Sequence, residues 1–102
     1  MTSPPENITE EEREIALIEA EHLMESGQVD RQQNRFEDAE DAFNKALTLF
    51  KEFGDPVGQG KALGNLGTVY QYQGRLEQAV SCYRQSLVIK PRRSSLRTKA
   101  LW

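Results

Sequence analysis

The sequence has one cysteine, one histidine and no long apolar run, and each scarcity excludes something. Cys82 alone has no partner for an internal disulfide and no companions for a structural zinc site, so the fold has to rest on packing. No stretch approaches the roughly 20 consecutive apolar residues of a membrane span, and Met1-Thr2-Ser3-Pro4-Pro5-Glu6 has neither the basic nor the apolar region of a signal peptide. The expectations are a cytoplasmic chain and no membrane partner. Asn7-Ile8-Thr9 has the form of a glycosylation acceptor, which needs a secretory route to be used. His22 and Cys82 are the only candidates for nucleophile or proton-transfer chemistry, and no acid–base partner is indicated for either. No enzyme, no cofactor and no metal site is therefore expected. At 102 residues and 37% apolar content, the chain fits one small domain and excludes a second full one.

Charge is unevenly spread. Residues 1–55 carry 15 acids and 5 bases (−10), whereas residues 56–102 carry 1 acid and 8 bases (+7). The acidic run Glu10-Glu11-Glu12 suits a solvated helix start. The five bases within 90–102 lack interleaved aromatics, a poor surface for nucleic acid, and no nucleic-acid partner is expected.

Residues 1–8, with two prolines and no periodicity, read as a disordered tail. Thr9 and Glu12 form a capping box that opens a first helix running to about Gln33, with Ile15, Ile18, Leu23 and Met24, and Ala16 and Ala20 among them, on one broad apolar side. Asn34 tolerates the left-handed conformation that ends it. A second helix from Glu37 to about Phe53 has Ala39, Phe43, Ala46, Leu47 and Phe50 on one stripe, and Gly54 ends it. Asp55 caps a third, whose first residue is Pro56 and which runs to about Gln73 before Gly74. A fourth starts at Leu76 or Glu77, carries Ala79, Val80, Tyr83, Leu87 and Val88, and must end before Pro91. Short connections force antiparallel hairpins.

An offset of forty residues pairs Leu23 with Leu63, Gly27 with Gly67, Arg35 with Arg75, Phe36 with Leu76, Ala39 with Ala79, Phe43 with Tyr83 and Leu47 with Leu87. Self-similarity at this period marks a helical repeat array. The second unit reads Leu63-x2-Leu66-Gly67-x2-Tyr70, then Ala79-x3-Tyr83, then Pro91, with Gly74 at the turn. In these residues the chain resembles the tetratricopeptide repeat family. The first unit keeps Leu23, Gly27, Ala39, Phe43 and Ala46 but has Ser26 and Asp30 where the pattern has leucine and tyrosine. The forty-residue spacing, and the run Gly60-Lys61-Ala62-Leu63-Gly64-Asn65-Leu66-Gly67, look like the long-repeat arrays of the Pins and LGN class.

The resemblance implies an all-α fold: two hairpins, about 15–54 and 55–91, forming a short right-handed α-solenoid within a repeat domain of 9–91. Residues 92–102 then form a basic tail or the start of a truncated third repeat. It also implies a non-catalytic adaptor that binds a protein or peptide through a concave helix face. On the third helix Lys61, Asn65, Thr68 and Tyr72 follow at spacings of four, three and four, putting a cation, an amide, a hydroxyl and an amphipathic ring on that face. These groups suit the backbone and an acidic side chain of an extended peptide. Gly64 lies on the same face and gives a ligand backbone room. On the first helix the equivalent positions are Glu21, Glu25, Gln28 and Gln32, so the groove is electrically mixed. The glycines at 60, 64 and 67 each cost helix propensity, which implies compensating contacts, and Gly67 takes the position where the family's helices approach closely. A phosphate-loop reading of Gly58-x-Gly60-Lys61 fails, because Asp55 and Ala62 stand where glycine and serine or threonine are needed.

Arg92-Arg93-Ser94-Ser95-Leu96 resembles the sites of basophilic kinases, which makes Ser95 a candidate for phosphorylation. Lys99-Ala100-Leu101-Trp102 echoes Lys61-Ala62-Leu63-Gly64 and stops. The side of the last hairpin around Leu87, Val80 and Tyr83 is therefore expected to lie uncovered. Such a chain either dimerises weakly through this end or is marginally stable as a shortened array.

Overall fold

The computed structural model describes residues 8–89. Pro91, Ser95, the tail from 92 to 102 and residues 1–7 of the acidic start lie outside the described residues. Four helices follow one another: α1 (Glu10–Gln32), α2 (Phe36–Glu52), α3 (Pro56–Tyr72) and α4 (Leu76–Val88). Their starts are chemically determined. Thr9 Oγ1 accepts from the Glu12 amide at 3.0 Å while Glu12 Oε1 accepts from the Thr9 amide, the reciprocal pair of a capping box. Asp55 accepts from the Gly58 amide at 3.1 Å and Pro56 occupies the first helical position of α3, where its missing N–H costs no hydrogen bond. α2 and α4 begin one residue after Arg35 and Arg75 without any side-chain cap.

The three connections are built alike. Asn34, Gly54 and Gly74 have φ of 63°, 71° and 77°, the left-handed region that ends a helix. The next amide then reaches back five residues: Arg35 N–H to Asp30 O, Asp55 N–H to Phe50 O and Arg75 N–H to Tyr70 O, at 2.8–2.9 Å. Each turn thereby satisfies a helix-end carbonyl and reverses the chain within three residues. Every helix packs mainly on its neighbours in sequence, with α1 and α3 barely touching. The result is two antiparallel hairpins joined by a third interface between α2 and α3.

The core is made of alanines and aromatics. Phe43, Phe50 and Val69 are the largest fully buried side chains, set among Ala20, Ala39, Ala46 and Ala62, none of which has any exposed surface. Glycines allow the rings in. A Cβ on Gly27 would stand 2.7 Å from the Phe43 ring, one on Gly67 would stand 2.5 Å from Tyr83, and one on Gly58 would overlap Phe50. The compensating contact expected for Gly67 is thus an aromatic side chain of the facing helix. Among the described residues no such contact exists for Gly60 and Gly64, where a Cβ would meet nothing within 4 Å. One apolar expectation also needs correction. In α1, Ala16, Ala20, Met24 and Gly27 are buried and Leu23 is half-buried, whereas Ile15 and Ile18 face outward. In α4, Ala79 and Cys82 are buried and Tyr83 is half-buried, while Val80 and Leu87 are exposed, in line with the uncovered side expected there, and Val88 with them; among the described residues α4 packs on α3 alone.

Two long-range polar ties cross the packing. Arg13, in the first turns of α1, donates from Nε to Phe53 O at 2.9 Å and from Nη2 to Gly54 O at 3.3 Å, placing a cation on the negative end of α2. Glu40 of α2 accepts from the Tyr70 hydroxyl at 2.8 Å and from Arg75 Nη1 at 3.3 Å, while the Arg75 guanidinium lies 4.7 Å from the centre of the Tyr70 ring. The first repeat solves the same corner differently. Asp30 stands in place of the tyrosine and pairs with Arg35 at 3.1 Å.

Candidate peptide-binding face

The exposed side of α3 carries the residues singled out by spacing. Lys61 is exposed, and its ammonium has no ion pair or hydrogen bond among the described residues. Asn65 is half-buried and donates from Nδ2 to Lys61 O at 3.0 Å, so its amide oxygen stays available as an acceptor. The Thr68 hydroxyl donates to Gly64 O at 3.1 Å and lies 3.3 Å from the Tyr83 hydroxyl, which itself donates to Gln71 Oε1 at 2.9 Å. Two hydroxyl protons serve three contacts there, so the pair can offer a donor or an acceptor to an incoming group by rotation. Tyr72 is 62% exposed and stacks on Phe36 of α2, ring centroids 5.8 Å apart and planes at 27°.

On α1, Gln28 and Gln32 are exposed beside Glu21 and Glu25. Gly64 is half-buried, and its repeat counterpart Met24 belongs to the core, so it adjoins the open side of the second hairpin. The structural set from the repeat pattern falls inside: Leu63, Leu66, Gly67, Tyr70 and Ala79 are buried with Gly27, Ala39, Phe43 and Ala46, while Leu23 and Tyr83 are half-buried against them. Gly74 makes its turn as expected.

Three contacts escaped the sequence reading. Arg13 and the carbonyls it caps are separated by forty residues with no local signal. Glu40 sits in an acidic first turn that the helix dipole already accounts for. The Phe36–Tyr72 stack joins two positions whose repeat counterparts, Leu76 and Gln32, make no such pair.

Burial and the nearby Glu40 carboxylate push the Tyr70 hydroxyl up from its ordinary 10.0 to about 12, and burial, followed by Glu40, raises the Cys82 thiol too. A protonated, buried thiol is a poor nucleophile at neutral pH. Because the folded chain holds the Tyr70 proton more tightly than the unfolded one, the stability it contributes is complete below about pH 10 and is lost as pH rises toward 12. Denaturant melts across that window should show a steeper loss for wild type than for Tyr70→Phe. Parallel curves would mean that Tyr70 titrates normally.

Among the described residues no group of three or more His, Cys, Asp and Glu is placed to hold a metal ion, and no helix is long and apolar enough to cross a membrane. Fold and surface together define an all-α helical-repeat protein, a class that works through protein contacts. The family model described as Tetratricopeptide repeat matches residues 18–92, most of the chain, and the protein belongs to that family. No curated protein and no solved structure matches it.

Proposed function

We propose that the chain is a non-catalytic cytoplasmic adaptor that binds an extended, acidic peptide segment of a partner along the face of α3 and α1. What carries this reading is Lys61: a cation without a partner among the described residues, on the same face as an acceptor at Asn65, the adaptable Thr68 hydroxyl and the exposed Tyr72 ring. Gln28 and Gln32 add amides from α1, and Gly64 leaves space beside them. Lys61 selects an acidic side chain, and Glu21 and Glu25 disfavour a second one across the groove. The forty-residue spacing supports membership of the long-repeat Pins and LGN type within the family.

Lys61→Glu should weaken binding of acidic peptides from an arrayed set at least tenfold, with far-UV circular dichroism unchanged, since the side chain touches nothing it would disrupt. About 0.5 M salt, where the screening length falls to roughly 4 Å, should act in parallel. Binding that survives both changes would exclude recognition by charge. Asn65→Ala tests the backbone contact in the same assay.

A second reading has one observation in its favour. The outer face of α4 exposes Leu76 and Val80 along an open groove, and Leu87 is exposed on the same helix, which suits self-association through this face.

A further inference from the structure

The interface between α2 and α3 is a template for the outer faces of α1 and α4. There, Phe50 of the first hairpin fills the space a Cβ on Gly58 would take, and Ala20, Met24, Ala62 and Val69 are buried in the same core, with Phe36 half-buried against it. Shifting each set by one repeat gives the outer faces. The α1 counterparts of Gly58, Ala62 and Val69 are Ile18, His22 and Val29. Ile18 is 56% and Val29 48% exposed, against 0% for Val69. On the other side, Leu76, the counterpart of half-buried Phe36, is 60% exposed, and Leu87, the counterpart of half-buried Leu47, is 75% exposed.

The two outer faces match in apolar character: in the repeat register, exposed Leu76 and Val80 of α4 take the places of Phe36 and Glu40, which meet Tyr72 and Tyr70 of α3, and exposed Ile18 and Val29 of α1 take the places of buried Gly58 and Val69. Val80 replaces Glu40 opposite Asp30, and Asp30 is already paired with Arg35, so closing this contact strands no carboxylate. Charge agrees as well: α1 carries 8 acids against 2 bases, whereas the described residues 56–89 carry 3 bases against 1 acid.

We propose that copies of this chain stack end to end, the outer face of α1 in one copy seated on the open face of α3 and α4 in the next. This rests on the self-association reading above and gives it a direction. Such a contact joins two different patches, so it leaves a free end at every step and does not close into a two-fold dimer.

Sedimentation of the full chain at low salt should show an average mass that climbs past twice the protomer as concentration rises, and that falls back in about 0.5 M salt. Ile18→Lys and Val80→Glu each put the wrong charge at an exposed position on one face. Each variant alone should be monomeric, with unchanged helicity. Mixed, they should form a one-to-one heterodimer, because each retains the face the other has lost. If Val80→Glu abolishes association and Ile18→Lys leaves a dimer, α4 pairs with itself: self-association stands and end-to-end stacking falls. A wild-type chain that is monomeric at every concentration overturns both.

Discussion

Gly58→Leu should lower the melting temperature more than Gly67→Leu, and Gly60→Ala should raise it. All three replace a glycine within α3, so the helix-propensity gain of up to about 1 kcal/mol is common to them, and what differs is the space a side chain finds. At Gly60 the space is open, and the gain is realised. At Gly67 the new side chain meets Tyr83, which is half-buried and held through its hydroxyl at the edge of the hairpin, so the ring can move outward at the expense of those bonds. Overpacking of about 1–3 kcal/mol is expected, with roughly 4–8 °C of melting temperature per kcal/mol. At Gly58 the obstacle is Phe50, fully enclosed between α2 and α3, with nowhere to go; the loss should exceed about 3 kcal/mol. Circular dichroism melts of the three variants give the order directly. An unchanged midpoint for Gly67→Leu would show that the hairpin has slack where the repeat pattern demands none.

Phe50→Ala is the second large effect. Removing a fully buried phenylalanine costs about 3–5 kcal/mol, which is a large share of the roughly 5–15 kcal/mol that stabilises a domain. Phe50 also holds the two hairpins together, so the variant should lose its cooperative transition rather than merely shift it. The double variant Gly58→Leu, Phe50→Ala should be more stable than the sum of the single losses predicts, because the leucine enters volume the ring has vacated. Denaturant titrations of the four members of this cycle should give a coupling of about 0.5–3 kcal/mol. Simple additivity would mean that the two side chains do not compete for one space.

What was legible in the sequence was local or repeated. Thr9 with Glu12, Asp55 with Pro56, and the left-handed residues Asn34, Gly54 and Gly74 each announce a boundary within a few residues, and those boundaries agree with the structure to about one residue. Gly27 and Gly67 were legible because the offset of forty aligns them with each other and their rings, Phe43 and Tyr83, likewise. Gly58 and Phe50 were not, since their repeat counterparts are Ile18 and Lys90 and no pattern flags the pair. Ile15 and Ile18 misled: helical spacing says that residues share a side, and it does not say which side a neighbour covers. Gly60 misled for the opposite reason, because its tolerance comes from an uncovered surface. The binding face was readable as spacing alone, since the hydroxyl network of Thr68 and Tyr83 and the stacking of Tyr72 depend on α4 and α2 being in place.

The sameness of the three turns bears on how quickly the chain finds its shape. Each helix meets its successor across a three-residue reversal whose left-handed residue and returning amide are already local, so no long loop has to be closed before apolar contacts reward it. The middle reversal at Gly54 is built like the outer two, and α2 with α3 can therefore nucleate as readily as either hairpin. A chain of this design has three equivalent starting points and a search measured in microseconds to milliseconds, with growth passing from whichever pair forms first to the helix next along.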